Sequence, residues 1–324
     1  MSTFQKKLEI LAGRDRPETR LLLAALLSLV CGVHVTAQDE PIKVDTLLVS
    51  VSVTVLDRNG AYVGDLQQKD FSIFENGIEQ PIAYFEAVER PITVFLVLDI
   101  SGSMSRVLDR VTNGANELVA SLRPDDLIGA YAFSDHMWEL SKLGKTSRLA
   151  NKHIKLRMDG LPADTMVYDA VDQALKKAKR SGRRTAIVLF SDGLGVNFES
   201  NKKENLRDAQ ETTAIIFTIS FDTMPKSRLQ GESEKRFDKR LKESADALQY
   251  LRDLAETTGG RSFSAESGEE IEDFFREIGM ELRQEYSLGY YPSDTGRKGE
   301  RRKIAVKVDV PGAVVRSRKE VVYQ

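Results

Sequence analysis

Residues 92–99 read ITVFLVLD and residues 184–192 read RTAIVLFSD. Each is a continuous apolar run closed by an aspartate. A strand with one wet face alternates, so a run without alternation must bury both faces, as in the middle of a parallel sheet covered by helices. LIGAYAF (127–133) and AIIFTIS (214–220) have the same character. Between these runs lie helical periodicities. Val107, Val111, Leu118, Val119 and Leu122 share one face, as do Val167, Ala170, Val171, Ala174 and Leu175. Leu248, Leu251, Leu254 and Ala255 mark a third helix, ended by Gly259-Gly260, and Ile271, Phe274, Phe275, Ile278 and Leu282 mark a last one. Strand and helix in alternation predict a doubly wound, Rossmann-like α/β domain over 91–285 with a mostly parallel sheet. The charged segment 222–240 reads as a solvated surface loop within it.

The flanks follow a different period. Val49, Val51, Val53 and Val55 alternate with Ser50, Ser52 and Thr54, and Asp57-Arg58-Asn59-Gly60 then turns the chain. DFSIFENGIEQPIAYF (70–85) places Asn76-Gly77 between apolar runs, which signals a hairpin. Alternation returns in EYSLGYY (285–291) and RKIAVKVDV (302–310). Neither end is long enough to close a core alone. Together, 38–90 and 286–324 predict one β-sandwich domain into which the α/β domain is inserted.

Residues 1–37 read as a signal peptide. Lys6, Lys7, Arg14, Arg16 and Arg20 precede the apolar run 21–35, and Val35-Thr36-Ala37 is a small-residue cleavage pattern. The run falls short of the roughly 20 residues that a membrane span needs. The expectation is a periplasmic or secreted, extracellular protein, with membrane contact only if this segment stays uncleaved. Cys31, the one cysteine, leaves with the signal, so the mature chain has neither disulfides nor thiol chemistry. The net charge is −2, and about −4 once five basic and three acidic residues of 1–37 are removed, which argues against nucleic acid as a partner.

In an open α/β sheet, ligands sit beyond the carboxyl ends of the strands. Asp99 and Asp192 each close a buried run there. Ser101 and Ser103 follow Asp99 at i+2 and i+4, so a loop can curl around one centre, and Thr165 precedes a later helix. These are hard oxygen donors of the kind a small divalent cation collects, six of them at ~2.0–2.1 Å for Mg²⁺. The competing structural reading is that Asp99, Ser101 and Ser103 only cap a helix and Asp192-Gly193 is only a turn.

Catalytic readings lack parts. A hydrolase built on Ser101 or Ser103 would need a base, and G-x-S-x-G is absent. His136, beside Trp138, and His153, in an expected helix, read as structural. A phosphoaspartyl enzyme built on Asp99 would need a second aspartate where Ser101 stands. Gly144-Lys145-Thr146 is no P-loop, because Glu139 occupies the place of its first glycine. The cluster Arg297, Lys298, Arg301, Arg302, Lys303 reads as a solvated hairpin, and Tyr286, Tyr290 and Tyr291 as strand packing. No enzyme is expected.

D-x-S-x-S after a buried strand, a lone Thr before a later helix and an S-D-G strand end together resemble the metal-ion-dependent adhesion site of von Willebrand factor type A domains. The flanking DRNG, DFSIFENG, YSLGYYP and RRKIAVKV stretches resemble exported acidobacterial proteins that carry such a domain. The resemblance implies metal ligation by Asp99, Ser101, Ser103, Thr165 and Asp192, the two aspartates acting directly or through water. It implies Mg²⁺ (Mn²⁺ or Ca²⁺ in its stead) and an open position that takes an Asp or Glu from a protein ligand. One departure is Ala163-Asp164-Thr165 where such proteins often have Gly-Gly-Thr; Asp164 reads either as an extra rim carboxylate or as a helix cap. The rival reading is a metal-independent structural or assembly module of the cell envelope.

Overall fold

The computed structural model describes residues 48–87, 91–149, 153–157, 165–196, 199–294 and 296–323. The expected signal segment, with Cys31, and Asp164 lie outside the described residues. Among those described, no helix is long and apolar enough to cross a membrane.

The chain begins with β1 (Val49–Leu56), β2 (Phe71–Glu75), β3 (Ile78–Gln80) and β4 (Ile82–Ala87). The middle runs β5 (Thr93–Asp99), α1 (Leu108–Ser121), β6 (Leu127–Phe133), β7 (Met137–Lys145), α2 (Val167–Ser181) and β8 (Thr185–Ser191). It continues with α3 (Lys202–Glu211), β9 (Ile215–Phe221), α4 (Glu234–Thr258), β10 (Ser262–Ala265) and α5 (Gly268–Glu281). The chain returns through β11 (Tyr286–Tyr290), β12 (Arg301–Val308), β13 (Val314–Ser317) and β14 (Glu320–Val322).

The six-stranded sheet has the order β10-β9-β8-β5-β6-β7 and is parallel except for β7, which runs antiparallel to β6. Every residue of β5 and β8 is buried. Val94, Leu96 and Leu98 pack with α1 and α5 on one face, and Phe95 and Val97 with α2 and α4 on the other. That two-sided burial is why these runs show no alternation. Edge strand β7 escaped the sequence reading. With no residue of it fully buried, MWELSKLGK carries no apolar pattern.

The chain ends form two four-stranded antiparallel sheets, β13-β1-β11-β4 and β14-β12-β2-β3. Each mixes strands from both ends: β1 pairs with β11, and β2 with β12. Their inner faces share one core of Val49, Val51, Val53, Val55, Phe71, Ile73, Tyr286, Leu288, Tyr290 and Ile304. Asn76 (φ 49°) and Gly77 (φ 83°) join β2 to β3 with both central residues left-handed, as a two-residue hairpin requires.

Three expectations need correction. The segment 222–240 is not all loop, because α4 starts at Glu234 and runs for 25 residues. Its first buried residue is Ser244, so the earlier turns carry no apolar face for periodicity to detect. His153 is exposed and lies outside any helix. Arg302 is not part of a solvated hairpin: at 7% side-chain exposure it pairs with Glu75 (2.7 Å), Glu300 (2.8 Å) and Asp294.

Candidate metal centre at the sheet rim

Strand β5 is followed in sequence by β6 on one side of it, whereas the later β8 lies on its other side. Connections that diverge from neighbouring strands leave a crevice at their carboxyl ends. Asp99 is the last residue of β5, and Asp192 follows the last residue of β8. The fold therefore sets two acids from distant sequence side by side. Asp99 is 0% and Asp192 3% exposed.

Hydrogen bonds tie the rim together. Asp99 Oδ1 accepts the Ser101 N–H (2.9 Å), and Oδ2 accepts the Ser191 hydroxyl (2.6 Å). The Ser101 and Ser103 hydroxyls lie 3.0 Å apart. Asp192 Oδ1 accepts the Leu194 N–H (3.0 Å), and Oδ2 the Thr223 hydroxyl (2.8 Å). A 3₁₀ turn over Gly102–Met104, anchored by the fully buried Met104, curls the serines over the strand end. Helix α1 begins only at Leu108, and its N-cap is Val107, with no side-chain cap. The helix-capping reading of Asp99, Ser101 and Ser103 thus loses its basis.

Thr165 is placed by its backbone. Its carbonyl accepts the Val196 N–H (3.0 Å), and Met166 N–H donates to Ser134 O (2.8 Å) at the end of β6. A Cβ on Gly195 would stand 2.9 Å from Thr165 O and 2.5 Å from Val167 Cγ1, so the D-G-L-G loop needs glycine to lie on the Thr165 segment. Gly193 adopts φ +74°, and a Cβ there would meet Ala247 O of α4 at 2.7 Å. The structure thus links Asp99 to Ser101 and Ser103 and brings Asp192 beside them. It lays the Thr165 backbone against the loop after Asp192. Among the described residues the Thr165 hydroxyl bonds to none of the other four.

Burial, and then the neighbouring Asp192, pushes the Asp99 carboxyl up to about 7. Burial also raises Asp192, against hydrogen bonds from Thr223, the Leu194 N–H and Ser103. Neither acid forms an ion pair among the described residues. Elsewhere, His136 Nδ1 lies 2.8 Å from Asp135 Oδ1, and its ring centroid is 3.5 Å from that of Trp138.

Sequence reading missed two contributors. Ser191 was visible only as the first letter of S-D-G, and Thr223 lies in what read as a featureless charged loop. Each donates its hydroxyl to a rim carboxylate, Ser191 to Asp99 and Thr223 to Asp192. No group of three or more His, Cys, Asp or Glu side chains is placed to hold a metal among the described residues. The rim offers another donor set, two carboxylates with neighbouring hydroxyls. All are hard oxygens, which suit a hard divalent cation, and the two neighbouring buried acids have no ion-pair partner among the described residues.

Residues 94–194 match the family model of the von Willebrand factor type A domain. No curated protein sequence matches the chain. Among solved structures, the chain is similar to a von Willebrand factor type A protein from Catenulispora acidiphila (12% identity, TM-score 0.48, 80% of this chain and 76% of that one). It is similar to the ArnB paralog VWA2 from Sulfolobus acidocaldarius (16% identity, TM-score 0.44, 86% and 76%). It is also similar to proximal thread matrix protein 1 from the mussel byssus, solved with a zinc-occupied MIDAS motif (12% identity, TM-score 0.47, 64% and 50%).

Proposed function

Residues 94–194 carry a von Willebrand factor type A domain, and from that premise we propose that the protein is an exported, non-enzymatic binding protein that docks an acidic residue of a protein ligand through Mg²⁺ at the sheet rim. The proposed organisation is a signal peptide (1–37), a β-sandwich from 38–90 and 286–324, and the type A domain over 91–285. The observation that carries the reading is the pair of adjacent buried carboxylates, Asp99 and Asp192, neither of which forms an ion pair among the described residues. Burial raises both carboxyls above the ordinary range and Asp192 raises Asp99 further, and a positive charge between them would act in the opposite direction.

A bound Mg²⁺ supplies that charge and an open position for a ligand carboxylate. The chain's own groups do the rest. Ser191 holds Asp99, and Thr223 holds Asp192, each through one carboxylate oxygen. The 3₁₀ turn presents the Ser101 and Ser103 hydroxyls, and the loop contact at Gly195 lays the Thr165 backbone against the loop that follows Asp192. With only two carboxylates, one or both acting through water, the site would keep residual positive charge and an open position that an acidic group of the partner completes.

Calorimetric titration with Mg²⁺ and Mn²⁺ tests this. Wild-type protein is expected to give a saturable heat that Asp99→Ala abolishes. Wild type without heat for either ion would end the metal reading in favour of a metal-independent envelope module.

A further inference from the structure

The six-stranded sheet ends at β7, and the outer edge of that strand pairs with no other strand among the described residues. Such an edge points alternate backbone N–H and C=O groups away from its own sheet, where a further strand can take them. β7 runs antiparallel to β6, with Met137 opposite Phe133 at the rim and Lys145 opposite Leu127. Along β6, Lys145 is therefore about 20 Å from the rim.

Residues 140–145 line a groove of about 590 Å³ together with Arg148, His153, Ile154 and Lys155. The facing segment is fixed in place. Ile154 is buried in the core on the α1 face; its N–H donates to Asn116 Oδ1 of α1 (2.8 Å), and its carbonyl accepts from Asn116 Nδ2 (3.0 Å). A side-chain amide thus satisfies the Ile154 backbone and holds residues 153–155 beside β7 without making them its next strand.

The groove is lined by one sign of charge. Lys142, Lys145, Arg148 and Lys155 line it with His153, and among the described residues no acidic side chain does. Lys145 pairs with Asp125 (2.6 Å), whereas Lys142, Arg148 and Lys155 are exposed and form no ion pair among the described residues. Among these charges β7 exposes Leu140 (36%) and Leu143 (42%). Lysines on an edge strand commonly keep two copies of a protein from joining edge to edge. That role accounts for Lys142 and Lys145. It does not account for the exposed leucines, nor for the cations that face the strand from Arg148 and Lys155.

We infer that this groove is a second interaction surface, separate from the rim, where an extended acidic segment of a protein partner adds to β7 as a further strand. The partner's backbone takes the outward N–H and C=O groups of β7, its acidic side chains meet Lys142, Arg148 and Lys155, and its apolar ones cover Leu140 and Leu143. The charge of the groove keeps a second copy of β7 out and admits a strand of opposite sign.

The test uses the full chain and a fluorescent decapeptide of alternating Glu and Val, read by anisotropy in Mg²⁺ and in EDTA. Wild type is expected to bind it equally in both, and Asp99→Ala to bind it as wild type does. The triple variant Lys142→Glu/Arg148→Glu/Lys155→Glu should bind about tenfold more weakly or worse, with its urea-unfolding midpoint unchanged. Lys142→Arg/Lys155→Arg should bind normally. Two further peptides, N-methylated at every Glu or at every Val, block opposite edges of the same strand at equal charge. Their affinities should differ by about tenfold or more, a result that needs no variant of the protein. Absence of binding by wild type, or full binding by the charge-reversed triple, overturns the groove. Equal affinities of the two methylated peptides overturn strand addition. Binding lost both in EDTA and in Asp99→Ala moves the peptide to the rim and overturns the second surface while supporting the metal reading. A duplex DNA of equal charge bound as tightly as the peptide overturns the assignment to a protein partner.

Discussion

Two places in this molecule bury carboxylates, and they resolve the problem in opposite ways. In the sandwich, Glu75 is 4% exposed and fully partnered: Oε1 accepts from Arg302 (2.7 Å), and Oε2 accepts the hydroxyls of Tyr290 (2.5 Å) and Tyr323 (2.8 Å). At the rim, Asp99 and Asp192 are as deeply buried, but among the described residues they receive only neutral hydrogen bonds. Burial alone therefore does not mark a functional acid. What sets the rim pair apart is that neither acid forms an ion pair among the described residues.

The contrast breaks first at Arg302. Arg302→Met leaves Glu75 buried without its cation, and urea unfolding should show a loss of about 3–5 kcal/mol. The double variant Glu75→Gln/Arg302→Met should recover most of it, because both charges are gone. A rim acid should respond in the opposite direction. The Asp99 carboxyl is raised in the fold from 3.8 to about 7, so the stability linked to its protonated form is complete below pH 4 and is lost as pH rises through 7. In EDTA, Asp99→Asn removes this loss. Its stability relative to wild type should climb between pH 4 and 7.5, by at most about 4 kcal/mol. Saturating Mg²⁺ should stabilise wild type and leave Asp99→Asn unchanged. An unchanged difference across that pH range would mean that Asp99 has an unrecorded countercharge.

The smallest expected effects lie in the groups that aim the acids. Ser191→Ala and Thr223→Val each remove one hydrogen bond to a proposed metal-binding carboxylate. Changes of this kind typically weaken metal affinity by about 10–100-fold. Mg²⁺ calorimetry should find both within that range and the fold retained. The lower end, about tenfold, is expected for Thr223→Val, since Ser191→Ala also removes the acceptor of the Gly193 N–H.

Much of this was legible because local pattern and tertiary role coincide in the core strands. ITVFLVLD is featureless along its length since both its faces are covered, and that same burial puts its terminal Asp99 at the rim. The Asn76-Gly77 turn needed no context either, as its two left-handed residues suit few other sequences. Reading stopped where a residue's role comes from a distant neighbour. Arg302 looks like a surface cation until Glu75, 227 positions away, is folded against it. Thr223 looks like loop chemistry until Asp192 arrives from another strand. The first turns of α4 were unreadable for a different reason: with no buried face they have no period, and what supports them is the Ser233 cap and the Lys239–Glu243 and Arg240–Glu232 ion pairs.

By itself, the sequence determined the alternation of strand and helix, the split into an inserted α/β domain and a two-ended β-sandwich, and the oxygen-rich residues that end the central strands. These follow from hydrophobic period and turn chemistry, which act over a few residues. Only the tertiary structure decided which buried acids have an ion-pair partner among the described residues and which do not. It also decided that serines near a helix start do not cap it, and that a charged stretch rises as a helix beside the rim. Those outcomes depend on distances between segments far apart in the chain, and charge interactions in a low-dielectric interior change steeply with such distances.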